Sequence, residues 1–579
     1  MALWPQPLDP LHSVALSAFA AALPLFLLLV LMGVLRKSGY VSAAWGLLVS
    51  GVLATVVWRM PLGLALRSTV YGVVYGLWPI MWIVFAALWL YNLSVDVGKF
   101  DLLRRWMVEH ASGDARIQVI LVAFCFGALL EGTAGFGAPV AVAAFLLLGL
   151  GFSARQSATV CLIANTAPVA FGGLGIPIVA LAGVTGLDLE KLSAMAGRQV
   201  PFLSLILPAY LVWVVAKGKG LRETWPAALV AGGSFALAQF LVSNFWGPYA
   251  ADIIAALSSI AGVALFLRVW KPRAEALPAP RLTAEAPGPE VRRSLPGQAS
   301  IAATAKGKPL RAATEEPPST APEQLHTDGA PPPAKLSPVE ALSAWAPWVL
   351  LSAVMIAWSY FKILAVGQIA IPIPQLHNRI FISLYRKPYA AVYLFQPLAV
   401  GTGALTATVL TAVVFSVRPA TFLKSGFKTL RQLRLPCLTV ALIVGLAYLY
   451  NYSGMAYTLG AALATLGRWF PLVSAYLGWA ACFLSGSDTA SNLLFGNLQV
   501  AAAHQLGLSP VLLAATNSSG AVTGKMISPQ NIAVGVTTVG LVGREGEVLR
   551  TTFWHSILLA AGLSALAFAQ AYWLKWMVP

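Results

Sequence analysis

Asn165-Thr166-Ala167-Pro168-Val169-Ala170-Phe171-Gly172-Gly173-Leu174-Gly175-Ile176-Pro177 interrupts one apolar run, and Asn517-Ser518-Ser519-Gly520-Ala521-Val522-Thr523-Gly524-Lys525-Met526-Ile527-Ser528-Pro529 interrupts another. In both, Asn and a small hydroxyl residue are followed by Gly seven positions after the Asn and by Pro twelve positions after it. Upstream of each lies a second polar break: Glu131-Gly132-Thr133-Ala134-Gly135-Phe136-Gly137 and Ser485-Gly486-Ser487-Asp488-Thr489-Ala490-Ser491-Asn492. Paired Gly/Pro interruptions in the two halves of a membrane chain point to a transporter's binding site.

The 579 residues are 58% hydrophobic and 10% charged, with a mean hydropathy of +0.76. That balance predicts an all-α polytopic membrane protein; a transmembrane barrel would show short alternating segments. The net charge of +17 does not indicate nucleic acid, because the basic residues sit at the ends of apolar runs. Cys125, Cys161, Cys437 and Cys482 lie within apolar runs without metal-ligand spacing and are expected to be packing residues. No Lys or Arg precedes the first apolar run, while Arg36-Lys37 follow it. This predicts an uncleaved first span.

Spanning runs of about 20 residues appear near 14–35, 41–58, 70–93, 194–216, 225–244, 250–270, 342–361, 397–417, 435–452 and 552–574. The amphipathic piece at 94–116 is expected at a membrane surface, and 362–396 follows no clear pattern. Residues 271–338 contain fourteen prolines and mixed charge, which predicts a disordered cytoplasmic linker. It divides the chain into an N-terminal membrane half, 1–270, and a C-terminal half, 339–579.

Two runs have the wrong length. As one helix, 117–152 would reach ~54 Å against a hydrocarbon core of ~30 Å. A re-entrant helical hairpin with its tip at the Glu131 break resolves this, and 471–507 repeats the pattern around 485–492. The overlong runs 153–185 and 509–540 are expected to be single crossings that unwind at the Asn-containing motifs. Basic clusters placed in the cytoplasm make the two hairpins insert from opposite sides, as two inverted-topology repeats require. The total is roughly 12–14 membrane segments.

Irregular backbone at membrane depth must line a cavity or be buried in protein. Four such breaks predict one shared polar site. The candidate substrate-binding residues are Thr133, Asn165, Thr166, Ser487, Thr489, Asn492, Asn517, Ser518 and Lys525. Their hydroxyls and amides can read a hydroxyl group, while helix N-termini and the lysine suit a carboxylate. Intramembrane carboxyls are functional by default, so Glu131 and Asp488 are the proton-coupling candidates. A structural Asp488–Lys525 ion pair is the competing expectation for those two. No GxSxG, HExxH or P-loop pattern is present, and the chain is not expected to be an enzyme or to hold a metal or cofactor.

At these motifs the sequence resembles the L-lactate permease family of bacterial secondary transporters. The carrying segments are Leu130 to Pro139, Leu162 to Gly172, Ser485 to Thr489 and Gly524 to Gln530, together with Leu3-Trp4, Leu23-Pro24 and Lys37-Ser38-Gly39-Tyr40 at the amino end. The resemblance implies a multi-pass protein of the bacterial plasma membrane. It also implies import of L-lactate and related 2-hydroxy monocarboxylates, glycolate and D-lactate among them, by proton symport. The implied partners are the small-molecule substrate, protons and membrane lipid. The residues alone leave sodium-coupled or passive anion transport open, and the oligomeric state with them.

Overall fold

The computed structural model describes residues 3–35, 37–110, 114–135, 137–272 and 336–579. The linker expected at 271–338 falls almost wholly outside the described residues. Among them, nine helices are long and apolar enough to cross a membrane, and a tenth span is possible as a bent pair.

The N-terminal half begins with a short strand, β1 (Trp4–Pro5), followed by α1 (Val14–Leu29), α2 (Gly39–Val56), α3 (Leu62–Tyr75), α4 (Trp82–Asp96) and α5 (Lys99–His110). Residues 117–152 fold into two helical arms joined by a tight turn. The first arm runs through α6 (Ala115–Gln118), a π-wound stretch Val119–Phe126, and α7 (Gly127–Thr133). The second arm, α8 (Ala138–Gly149), packs back on the first. Gly135 and Gly137 make the tip with φ of 58° and 83°, values that side chains resist and glycine accepts. The first arm is longer than an even division suggests: Ala115–Thr133 is 19 residues and buried along its whole apolar window.

α9 (Ala154–Ala164) and α10 (Gly172–Thr185) form the bent pair, with 65° between the helices flanking the break. Then come α11 (Leu189–Ala196), α12 (Val200–Phe245) and α13 (Ala251–Val269). At 46 residues, α12 would reach ~69 Å as one rod; it is two crossings divided at Lys217, where φ is 57° and ψ −164°. Near that turn, Arg116 at the hairpin entrance pairs with Asp114 at 2.6 Å and with Glu223.

The C-terminal half runs α14 (Pro338–Tyr360), α15 (Val400–Val414), α16 (Pro419–Ser453), α17 (Met455–Ala464), α18 (Phe470–Ser485), α19 (Asp488–Leu506), α20 (Pro510–Lys525), α21 (Pro529–Thr538) and α22 (Glu545–Tyr572). α18 and α19 form the second hairpin, turning at Gly486 with φ 70°. The second long run does break, but only at Met526–Ser528. Asn517 therefore sits inside a regular helix and not in an unwound middle. Nothing in that helix stops the backbone before the Ser528-Pro529 pair, which supplies an N-cap and a first-turn proline for α21.

The patternless piece 362–396 is the main β-structure. β2 (Ile369–Pro372) pairs antiparallel with β5 (Val392–Phe395). β3 (Ile380–Ile382) pairs antiparallel with β4 (Lys387–Pro388) and parallel with β1. Pro372, Pro374 and Pro388 exclude a helix, and the short β-branched and aromatic runs between them favour strands. Tyr71 and Tyr393 tie this cap to the bundle through hydrogen bonds to the Val392 and Trp78 carbonyls.

α18 and α20 pack backbone to backbone. A Cβ on Gly478 would lie 1.9 Å from the Asn517 carbonyl oxygen, and one on Gly520 would lie 2.0 Å from that of Ala475. Small residues permit this approach where lipid provides no hydrophobic drive between helices. Gly520→Val must separate the pair, with overpacking of about 3 kcal/mol or more. The expected result is loss of the monodisperse peak in detergent size-exclusion; a near-wild-type peak and melting temperature would show that the contact is dispensable.

Candidate functional site

Glu131 occupies the last turn of α7 and is 3% exposed. Lys525 ends α20 and is 7% exposed. A cation suits the negative end of a helix, yet its partner is not Asp488. The Lys525 ammonium donates to Glu131 Oε1 at 2.6 Å, across 394 positions of sequence and from one half of the chain to the other. The competing Asp488–Lys525 pair is thus replaced by a Glu131–Lys525 pair. Asn165, at the C-terminal end of α9, donates from Nδ2 to Glu131 Oε2 at 2.9 Å. Both carboxylate oxygens are held, which is the condition for a buried charge to persist.

The first break makes room for this arrangement. Gly173, Leu174 and Gly175 have φ of 53°, 61° and 72°. A Cβ on Gly172 would stand 2.7 Å from Glu131 Oε1, so the bare backbone there cradles the carboxylate. The glycine at the same spacing in the second motif, Gly524, serves a different purpose. A Cβ on it would meet the Trp479 carbonyl oxygen at 2.3 Å, so it serves helix contact.

Asp488 begins α19 and is buried. Ser518 Oγ donates to its Oδ2 at 2.8 Å, while its Oδ1 and the neighbouring Ser519 hydroxyl are buried without a partner. Asn492 donates to the Pro177 carbonyl of α10 at 3.1 Å, and Asn517 donates to Asn492 Oδ1 at 3.0 Å. A second polar link therefore joins the halves. Thr133 and Thr166 donate to the carbonyls of Leu129 and Ile163, leaving their oxygens free to accept. Ser487 caps α19 by accepting from the Ala490 N–H, and Thr489 is half-buried beside it.

Three further residues belong to this interior and were not singled out in the sequence. Asn531 donates to the Gly486 carbonyl at 3.1 Å and to the Lys525 carbonyl at 3.3 Å, joining the second hairpin tip to the second break. Asp252 accepts from Gln239 Nε2 at 2.8 Å, and the same amide donates to the Ala167 carbonyl inside the first break at 3.2 Å. The available signal was an acid near the start of the run 250–270, whose other charged residue is Arg268 at the far end; an acid there has few structural uses in a membrane.

The family model for L-lactate permease matches residues 17–574. The chain is 42% identical to the glycolate permease GlcA of Escherichia coli (strain K12), with 99% of each chain covered. It is 40% identical to an L-lactate permease of Salmonella typhimurium and 39% identical to one of Bacillus subtilis (strain 168), with both chains covered in full in each case. Among solved structures, the Alcanivorax borkumensis YdaH transporter aligns over 87% of each chain at 16% identity, with a TM-score of 0.43.

Proposed function

The chain belongs to the L-lactate permease family, and from that premise we propose that it imports L-lactate and related 2-hydroxy monocarboxylates, glycolate and D-lactate included, by proton symport across the bacterial plasma membrane. The observation that carries this reading is the buried Glu131–Lys525 pair with Asn165 on the second carboxylate oxygen. One interior cation is already matched by one carboxylate. A substrate carboxylate can take Lys525 only by displacing Glu131, and an ionised Glu131 left behind would be an unpaired buried charge. A proton on Glu131 removes that charge. Substrate and proton then enter the interior together, and one without the other is unfavourable.

The same swap loosens a bond between the two halves, so loading acts on the contact that a rearrangement between them must break. Asn165, released from Glu131, is placed to bond the substrate, and Asn165 or the Thr133 and Thr166 oxygens can read its 2-hydroxyl. Asp488 is the second proton-coupling candidate, because one of its oxygens is buried without a partner. The two hairpins and two broken segments occur in the same order in each half, which supports inverted-topology repeats around this site.

Uptake of labelled lactate into proteoliposomes, with pH and sodium gradients imposed separately, tests the proposal. Accumulation is expected on the pH gradient alone; accumulation only on sodium, or only to equilibrium, contradicts it. Propionate lacks the 2-hydroxyl and would leave a buried polar group unmatched. It should bind about tenfold more weakly than lactate in competition assays. Equal competition would remove the hydroxyl readout.

A further inference from the structure

Asp252 is 1% exposed in the first turn of α13, and no ion pair reaches it among the described residues. Its Oδ1 accepts from Gln239, whose Oε1 in turn accepts from Ser204 at 2.8 Å. Its Oδ2 is buried with no partner at all. α13 packs tightly on the hairpin arm that carries Glu131: a Cβ on Gly132 would lie 3.0 Å from Asp252 Cβ and 3.1 Å from the Ile253 nitrogen. The Gln239 amide bridges Asp252 to the Ala167 carbonyl, two residues from the Asn165 that holds Glu131.

Among the described residues, no cation pairs with Asp252. The hairpin presents Glu131, with Lys525 paired to it. From α12 comes only the uncharged Gln239; the charged residues Lys217 to Glu223 of that helix lie about four to six turns away. The π-wound stretch contributes Cys125, which meets Ser259, two turns along α13. α10 has no titratable side chain, those of α14 are Glu340 and Tyr360 near its two ends, and Tyr249 precedes α13 by two residues.

An ionised Asp252 would leave an unpaired negative oxygen in the interior, whereas a proton on Oδ2 leaves an ordinary neutral acid. We propose, resting on the proton-symport reading above, that Asp252 is a proton-holding residue that supplies Glu131 when substrate takes Lys525. In that step the O–H bond at Asp252 breaks and one forms on Glu131. Asp252 regains a proton from water on the side to which the site is open. It touches no substrate and acts through Glu131, as a positioning residue of the coupling step.

The test uses the full chain in proteoliposomes, with wild type, Asp252→Asn and Asp252→Glu side by side. Asp252→Asn keeps the shape and the Gln239 contact but cannot release a proton. It is expected to lose at least about tenfold in pH-driven lactate accumulation, to keep lactate counterflow, and to show a flattened pH profile; Asp252→Glu restores both. Accumulation by Asp252→Asn with the wild-type pH profile overturns the role. Should that variant not fold, Gln239→Leu leaves the carboxyl but removes its donor, and must shift the pH profile; an unmoved profile overturns the role as well. Wild type that fails to accumulate lactate on a pH gradient overturns proton symport itself, which separates the two failures.

Discussion

Glu131→Gln is expected to abolish accumulation of lactate on a proton gradient while leaving lactate–lactate exchange measurable. The amide keeps the volume of the side chain and its place beside Gly172, where only a bare backbone fits. It can neither pair with Lys525 as an anion nor take up a proton. Lys525 then stands free for the substrate carboxylate, so lactate binding does not weaken. What is lost is the obligation that a proton accompany the anion. Asp488→Asn is the companion variant. If both still concentrate lactate on a pH gradient, neither carboxyl carries the proton.

Lys525→Met is expected to weaken lactate binding by about two orders of magnitude. The substitution deletes the positive charge that holds Glu131 at 2.6 Å and that the substrate would take over. Breaking a buried pair by removing one partner costs about 3–5 kcal/mol, because the remaining charge is stranded. Loss of the direct charge contact, at about 3 kcal/mol, corresponds to about a hundredfold in affinity. Thermal unfolding with and without lactate in detergent reads both effects. The double variant Glu131→Gln with Lys525→Met has no stranded charge and is expected to recover the melting temperature of the unliganded protein, without recovering stabilisation by lactate. Unchanged lactate stabilisation in Lys525→Met would remove the lysine from the site.

The hairpins, the first break and the ionisable residues were legible because each is a local violation: a run too long to cross, or a charge where apolar residues are the rule. Glu131 and Lys525 were singled out that way, and Asn165 by the motif it shares with Asn517. Their partnership was not, because a pair 394 positions apart leaves no spacing signal. Asn517 was read as a place of unwinding because its motif copies that of Asn165. The copy extends to Gly and Pro spacing, but the left-handed run at Gly173–Gly175 has no counterpart at the matching Lys525, Met526 and Ile527. Asp252 was passed over because an acid in a helix's first turn is ordinary in soluble proteins, where it complements the helix dipole. Only its burial with an empty oxygen distinguishes it. The two small sheets at 362–396 escaped because their strands are two to four residues long and because β3 pairs with β1 from the other end of the sequence.

Lactate is proposed to displace Glu131 from Lys525, with Glu131 protonated in exchange. Infrared difference spectra of the purified protein with and without lactate read the protonation of that carboxyl directly. Binding is expected to replace a carboxylate band with a protonated carboxyl band, and the change should be missing in Glu131→Gln. Lactate binding that leaves the carboxyl region unchanged, or gives the same new band in Glu131→Gln, would contradict the account.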